Sequence, residues 1–351
     1  MDSRFILESG CFSRKPEVNR ATARSWAVDE SRIHPSYEYM LDAEADNLDA
    51  IVVLTPVADH ARMIEQCLER GLHVISEKPL TGSVAECARI DRALAASGKF
   101  LAVTFNYTGY PMVRELRERV RRGDLGNIHS VRLTMQQEGF ARRDADGNPI
   151  TPQAWRLEDG VIPTVSLDLG THVVHLLEFV TGKVPAEVSG RMGSFGNFGQ
   201  VVDDVDMLIN CTDGTFAHAW WSKSALGHSN GLSIEVFGSE GSAKWVQVDP
   251  EYLHLRDNGG IERRLHRGSR DISVAGDPRY NRFKAGHPSG FIEAFANCYW
   301  DIADGLHDHA ATGAVSNDFV FGIADSMRVL QTLETGVQAA RSRQWETVPF
   351  A

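Results

Sequence analysis

The sequence predicts two domains: an α/β domain on a parallel sheet, then an α+β domain with an open antiparallel sheet. Three observations carry this reading. The 351 residues exceed what one compact core usually holds. The first third alternates short apolar strands with amphipathic helices, the rhythm of a doubly wound parallel sheet. Beyond Gly123-Asp124-Leu125-Gly126 the period changes to strand-like stretches joined by glycine-rich turns. The boundary is expected there, dividing the chain into 1–123 and 124–351, with the C-terminal helices able to pack back.

Taken in order, residues 4–12 read as a strand and 16–26 as a helix with Pro16 in its first turn. Residues 49–54 form a near-continuous apolar strand, as expected where both faces of a parallel sheet are covered. A helix over 59–70 stops at Gly71, a residue suited to a left-handed cap. Strand 73–76, helix 83–97, Gly98, strand 100–105 and helix 111–122 complete the unit. A long strand follows over 127–137, then a polar loop over 140–163 and a helix over 167–181. Strands are expected at 186–193, 205–211, 215–222, 232–237, 243–247 and 252–256. Asp213-Gly214, Gly238-Ser239-Glu240-Gly241 and Asn258-Gly259-Gly260 supply turns between them. Helices over 290–306 and 319–341 close the chain.

Composition narrows the function classes. A hydrophobic fraction of 42% with 24% charged residues is ordinary for a globular protein. The net charge of −11 opposes nucleic acid as the main partner, because phosphate binding needs a cationic face. The five cysteines lie far apart without a CxxC pair, which favours a reducing compartment and no structural metal site. The Met1-Asp2-Ser3-Arg4 start carries no signal-peptide pattern, and no apolar run reaches membrane-spanning length. A cytoplasmic protein acting on a small molecule is the expectation.

In a dinucleotide-binding unit a glycine-rich turn follows the first strand, and the ribose-reading residue ends the second about 20 residues later. The first third holds no GxGxxG. Gly193, Gly196 and Gly199 have the wrong spacing and lie in the wrong domain. Gly10-Cys11-Phe12-Ser13-Arg14 instead reads as the end of a second strand, so the first strand and its turn are expected before Met1. Ser13 and Arg14 carry two readings in balance. Ser13 is an N-cap for the helix entered at Pro16 and Arg14 a solvated charge, or the pair is a ribose reader in which Arg tolerates a 2′-phosphate.

The most specific string is Thr55-Pro56-Val57-Ala58-Asp59-His60, followed after a helix by Glu77-Lys78-Pro79. It resembles the TPxxxH and EKP strand ends of the Gfo/Idh/MocA oxidoreductases. Asp168-Leu169-Gly170-Thr171-His172 matches that family's DxGxH motif, and the resemblance runs from about residue 5 to the end. It implies an N-terminally incomplete Rossmann-like domain, NAD or NADP as cofactor, and a sugar, glycoside or cyclitol as substrate. Both motif strands end at the carboxyl edge of the sheet, where open α/β folds bind ligands. There the Lys78 ammonium can bond a substrate hydroxyl and stabilise alkoxide character. His172 is the acid/base, of a residue type that titrates near neutrality, and Asp168 orients it or grips a neighbouring hydroxyl. At i, i+4 the two share one helix face.

The resemblance assigns cofactor contacts to Ser13, Arg14, Thr55, Pro56, His60, Glu77, Lys78 and Asn106. Substrate contacts fall to Lys78, Tyr107, Trp155, Arg156, Asp168, His172 and His175, with no metal. His175 stands where many members carry Asp, and a core histidine is the competing reading. Val161-Ile162-Pro163-Thr164-Val165-Ser166 replaces the glycines often found before the motif Asp, which stiffens that loop. Family members are usually dimers or tetramers, so a homodimer or homotetramer built on the open sheet is expected. Weak cofactor binding is expected from the missing glycine turn. A catalytically silent binding or assembly partner is the alternative function, and a redox-assisted elimination or hydrolysis is a narrower one.

Overall fold

A computed structural model describes residues 4–349; Met1-Asp2-Ser3 lies outside them. The chain divides into two compact units. The first holds the residues up to Thr81, Ala85–Thr104 and Tyr299–Ile323, and the second holds Gly82–Val84, Phe105–Cys298 and the residues from Ala324 on.

The first unit runs α1 (Pro16–Ser25), α2 (Tyr37–Glu44), β1 (Ala50–Val53), α3 (Val57–Glu69), β2 (His73–Glu77), α4 (Val84–Ser97) and β3 (Leu101–Thr104). The strands pair in parallel in the order β1-β2-β3. Ala50 faces His73 and Val53 faces Ser76, while Val74 faces Leu101 and Glu77 faces Thr104. That register brings the C-terminal ends of all three strands to one edge. The amphipathic α3 buries Ala61, Met63, Ile64, Cys67 and Leu68, and Gly71 ends it at φ +74, a conformation glycine adopts without steric cost. The Phe321 carbonyl accepts the Val103 N–H at 2.8 Å, adding a partner beside β3.

Two features depart from expectation here. Residues 4–12 form no strand; a single parallel bridge joins Gly10 to Ile33. Phe5, Ile6 and Leu7 are exposed, Ile6 at 79%, and apolar alternation makes a strand only where a neighbour ladders with it. The short α2 was not anticipated. Its cap is Ser36, whose hydroxyl accepts the Tyr39 N–H, and its buried Glu44 is gripped by Arg32 through two bonds of 3.0 and 2.7 Å. Those bonds hold the Glu44 carboxyl down at about 2.

The second unit comprises α5 (Pro111–Arg121), β4 (Ile128–Gln136), α6 (Thr171–Thr181), β5 (Pro185–Gly193), β6 (Asp204–Cys211), β7 (Phe216–Ser222), β8 (Ser233–Gly238), β9 (Gly241–Val246), β10 (Tyr252–Asp257), β11 (Glu262–His266), α7 (Phe291–Thr312), α8 (Ile323–Ser342) and β12 (Glu346–Thr347). From Tyr299 on, α7 counts with the first unit. The expected boundary at 123/124 moves back to Thr104/Phe105, because α5 is bonded into the second unit. The fully buried Glu115 accepts the backbone N–H groups of Ser273, Val274 and Ala275. Arg114, also buried, donates to the Thr108 carbonyl and the Tyr280 hydroxyl.

Nine strands form one sheet in the order β11-β10-β9-β8-β4-β7-β6-β5-β12. It is mostly antiparallel, but β4 and β7 run parallel, Ser130 facing Phe216 and Gln136 facing Ser222. The path from β4 through α6, β5 and β6 allows that orientation, which a tight hairpin cannot give. Val131, Leu133, Ala219, Trp221, Ile234 and Trp245 are buried on one face. Arg132, Thr134, Arg191, Asp206, His218 and Trp220 line the other. The edge strand β11 escapes sequence reading because its residues, except Leu265, face outward.

The helix expected over 167–181 begins as a π turn, Ser166–Gly170, before α6 proper. A Cβ on Gly170 would lie 2.9 Å from Trp221 ring atoms and 3.0 Å from Leu333 Cδ2, so only glycine lets the indole approach. Gly170→Ala adds a methyl that this packing has no room for, and the cost is expected at about 1–3 kcal/mol. Urea unfolding measures it, and unchanged stability would refute the close approach.

Along α6, His175 lies stacked on Phe105 at 3.7 Å with rings 9° apart, and farther off on Phe179. It packs as a core ring, the competing reading of this position. Burial pushes its imidazole down to about 3. An unfolded histidine takes a proton below about pH 6.5, so between those values the unfolded chain binds the extra proton. Stability then drops as pH falls, at up to about 1.4 kcal/mol per pH unit from this residue. His175→Phe is expected to lose less stability than the parent chain between pH 7 and pH 5 in urea titrations. Equal losses would contradict the buried neutral state.

Candidate active site

The predicted residues fall into two groups, one in each unit. In the first unit, Thr55 and Pro56 follow β1, while Glu77 ends β2 and Lys78 follows it. His60 is buried and draws these loops together. Its Nε2 lies 2.7 Å from the Thr55 carbonyl and its Nδ1 3.0 Å from the Pro79 carbonyl. Each ring nitrogen faces a backbone carbonyl, so His60 ties the two loops to each other. Glu77 Oε1 accepts the Thr104 hydroxyl at 2.7 Å, tying the ends of β2 and β3. Lys78 is half-buried beside the cis Lys78–Pro79 peptide. Ser13 accepts the Lys15 N–H at 3.1 Å and so shapes the turn into α1. Arg14 is 91% exposed and pairs with Asp59 at 3.3 Å.

In the second unit the catalytic candidates lie at the π turn. Asp168 sits inside it and His172 just beyond, so their spacing is not that of a regular α-helix. Lys223 Nζ donates to Asp168 Oδ2 at 2.6 Å, and Arg156 donates to the same oxygen. The Arg156 guanidinium in turn lies 4.2 Å from the centre of the Trp155 ring. The loop bearing Trp155 and Arg156 is thereby latched to the motif Asp. His172 is buried and meets the Tyr107 ring edge-on at 4.5 Å. Burial pushes the Tyr107 phenol up to about 12, and its oxygen accepts from Asn230 Nδ2 at 3.2 Å.

Asn106, immediately after Phe105, is 2% exposed, and its Nδ2 has no hydrogen-bond partner. A buried donor left open is uncommon in a folded chain and suits a ligand acceptor. In the first unit, the Thr55-Pro56 and Glu77-Lys78 loops held by His60 at the carboxyl edge of the parallel sheet fit a nicotinamide cofactor. Lys223, Asn230 and Gln247, which accepts from Asn230 Nδ2 at 2.6 Å, escaped the sequence reading. Lys223 carried one signal, a lysine directly following the apolar strand that ends Trp220-Trp221-Ser222. The two amides lie in turns without local pattern. Among the described residues no group of three or more metal-binding side chains occurs, and no helix is long and apolar enough to cross a membrane.

Comparison with known proteins places these features in a family. Residues 9–105 match an oxidoreductase family model with an NAD-binding Rossmann fold, and residues 113–244 match the GFO/IDH/MocA C-terminal domain. An uncharacterized oxidoreductase, YfiI, of Bacillus subtilis (strain 168) is 28% identical over 309 residues, which is 85% of this chain and 77% of that protein. The crystal structure of an oxidoreductase from Sinorhizobium meliloti superposes with a TM-score of 0.85 at 31% identity, covering 98% of this chain and 93% of that one. An inositol dehydrogenase homolog from Azotobacter vinelandii, complexed with NADH and myo-inositol, gives 0.86 at 26% identity, covering 98% and 90%. With both domain models matched in order along one polypeptide, the chain belongs to the GFO/IDH/MocA family of NAD-binding oxidoreductases.

Proposed function

We propose that the chain is an NAD(P)-dependent dehydrogenase acting on a hydroxyl-bearing carbon of a sugar, glycoside or cyclitol. The observation that carries this reading is the arrangement at the π turn, a buried His172 against Tyr107 with Asp168 held by two cations. The myo-inositol bound by the Azotobacter homolog supports the substrate class. Bound nicotinamide supplies the hydride acceptor. Thr55, Pro56, Lys78 and Asn106 would hold it, with Ser13 and Arg14 as the residues that would read its adenosine ribose. Lys78 bonds the substrate hydroxyl oxygen and stabilises the alkoxide charge that develops there as the proton is taken, the charge that then drives hydride out as the carbonyl forms. His172 takes the hydroxyl proton, and Asp168 fixes the substrate or the imidazole in place. Trp155 and Arg156 cover the sugar face.

Calorimetric titration with NADH and NADPH, then turnover of a panel of sugars and cyclitols, tests the proposal. Lys78→Ala is expected to lower kcat by about 10²- to 10⁴-fold with an unchanged circular dichroism spectrum. A near-parental rate would remove Lys78 from the mechanism. Absence of both cofactor binding and turnover would favour the silent-partner reading.

We further propose that the outer face of the nine-stranded sheet receives a second copy of the chain. Leu208, Phe216 and Trp220 stand on it, beside a depression of about 390 Å³ bordered by Arg191, Asp206 and His218. Arg191 and His218 both pair with Asp206, at 2.9 and 2.7 Å. Apolar side chains among opposite charges suit a self-complementary two-fold contact. Light scattering is expected to report a dimer or tetramer at micromolar concentration, and Trp220→Glu to shift it toward monomer. A monomeric parent chain would refute the interface.

A further inference from the structure

We propose that Lys223 is a positioning residue for Asp168, a role that rests on the dehydrogenase reading above. Lysine is seldom fully buried unless its charge is matched, yet Lys223 is only 6% exposed. Its backbone is clamped on both sides. The Lys223 N–H donates to the Asp203 carbonyl at 2.7 Å, and its carbonyl accepts the Phe140 N–H at 2.8 Å. The ammonium passes 5.5 Å from the centre of the Phe140 ring and ends 2.6 Å from Asp168 Oδ2.

Asp203 is itself fully buried and accepts from the Phe195 and Gly196 N–H groups and from the Ser224 hydroxyl. The residue that anchors Lys223 is therefore pinned independently of Asp168. This gives the ammonium a fixed origin directly after β7, whose last residue is Ser222. Arg156 reaches the same Asp168 oxygen from the 140–163 loop, with a side chain about a quarter exposed. The two cations thus differ in kind. Lys223 is the scaffold-borne partner and Arg156 the loop-borne one.

A carboxylate held by a buried ammonium keeps both its charge and its orientation. Lys223 thereby presents Asp168 to substrate as a fixed acceptor whether or not the Arg156 loop is in place. Charge-assisted bonds of this kind are worth about 10- to 100-fold in an equilibrium or rate.

The test compares Lys223→Met and Lys223→Arg with the parent chain. Each variant is first checked by circular dichroism and by NADH titration. For Lys223→Met we expect kcat/KM to fall about 10- to 100-fold, with the acidic limb of its pH profile displaced to higher pH. Lys223→Arg is expected to recover part of the rate and the original limb. A Lys223→Met variant that melts lower but keeps the parental kcat, KM and acidic limb overturns the proposal. Should Lys223→Met not fold, the same displacement is sought in reverse: Lys223→Arg with a rate and limb equal to those of Asp168→Asn also overturns it. If the parent chain turns over no member of the substrate panel, the dehydrogenase reading fails separately. Lys223 is then judged by carbon-13 NMR titration of the Asp168 carboxyl. A higher midpoint in Lys223→Met supports the positioning role, and an unchanged midpoint refutes it.

Discussion

The candidate site of the second unit depends on one packing contact, Trp221 against Gly170. The indole is fully buried, its Nε1 donates to the Ser166 hydroxyl at 3.1 Å, and its ring fills the space a side chain at 170 would need. A π turn costs hydrogen-bond quality and persists where surrounding structure enforces it. Here the sheet supplies the enforcement, because Trp221 is the penultimate residue of β7. The same strand end carries Lys223, so one short stretch both shapes the turn and grips the carboxylate within it.

Around that contact the unit relies on charged side chains to organise long loops. Glu115 gathers the 273–275 backbone, and Arg267 donates to Glu251 and to the Tyr280 carbonyl at 2.7 and 2.9 Å. Asp159 accepts the Thr164 and Val202 N–H groups, each at 2.8 Å. Loops cannot satisfy their own backbone groups through regular ladders. Side-chain carboxylates and guanidinium groups do it for them: Glu115 and Arg267 from buried positions, matched by several partners, and Asp159 from an exposed one. The loops that border Asp168 and His172 are thereby fixed without secondary structure of their own.

The first unit solves a related problem with a neutral-looking motif. In TPxxxH the threonine hydroxyl donates to Met63 Sδ of α3 at 3.4 Å, and the histidine ring nitrogens face the Thr55 and Pro79 carbonyls. Motif membership therefore does not imply contact with a ligand. His60 and His175 are both motif-adjacent histidines, and both are buried in packing or bonding roles, while His172 alone of the three adjoins the Tyr107 ring at the π turn.

The sequence by itself determined most of the element order from β1 to β10, the strand ends bearing Thr55, Lys78 and Asn106, and the family. These depend on local signals: apolar periodicity, Gly71 and Gly98 as left-handed stops, and short motifs at fixed spacing. Tertiary structure alone decided the rest. Whether residues 4–12 ladder depends on a neighbouring strand that local alternation does not specify. The parallel pairing of β4 with β7 depends on a crossover about 80 residues long, from one strand to the other. The partnership of Lys223 with Asp168 links residues 55 positions apart. The fate of each histidine depends on what surrounds it, because burial and bonding partners, not residue type, set whether an imidazole is a staple, a core ring or an acid/base.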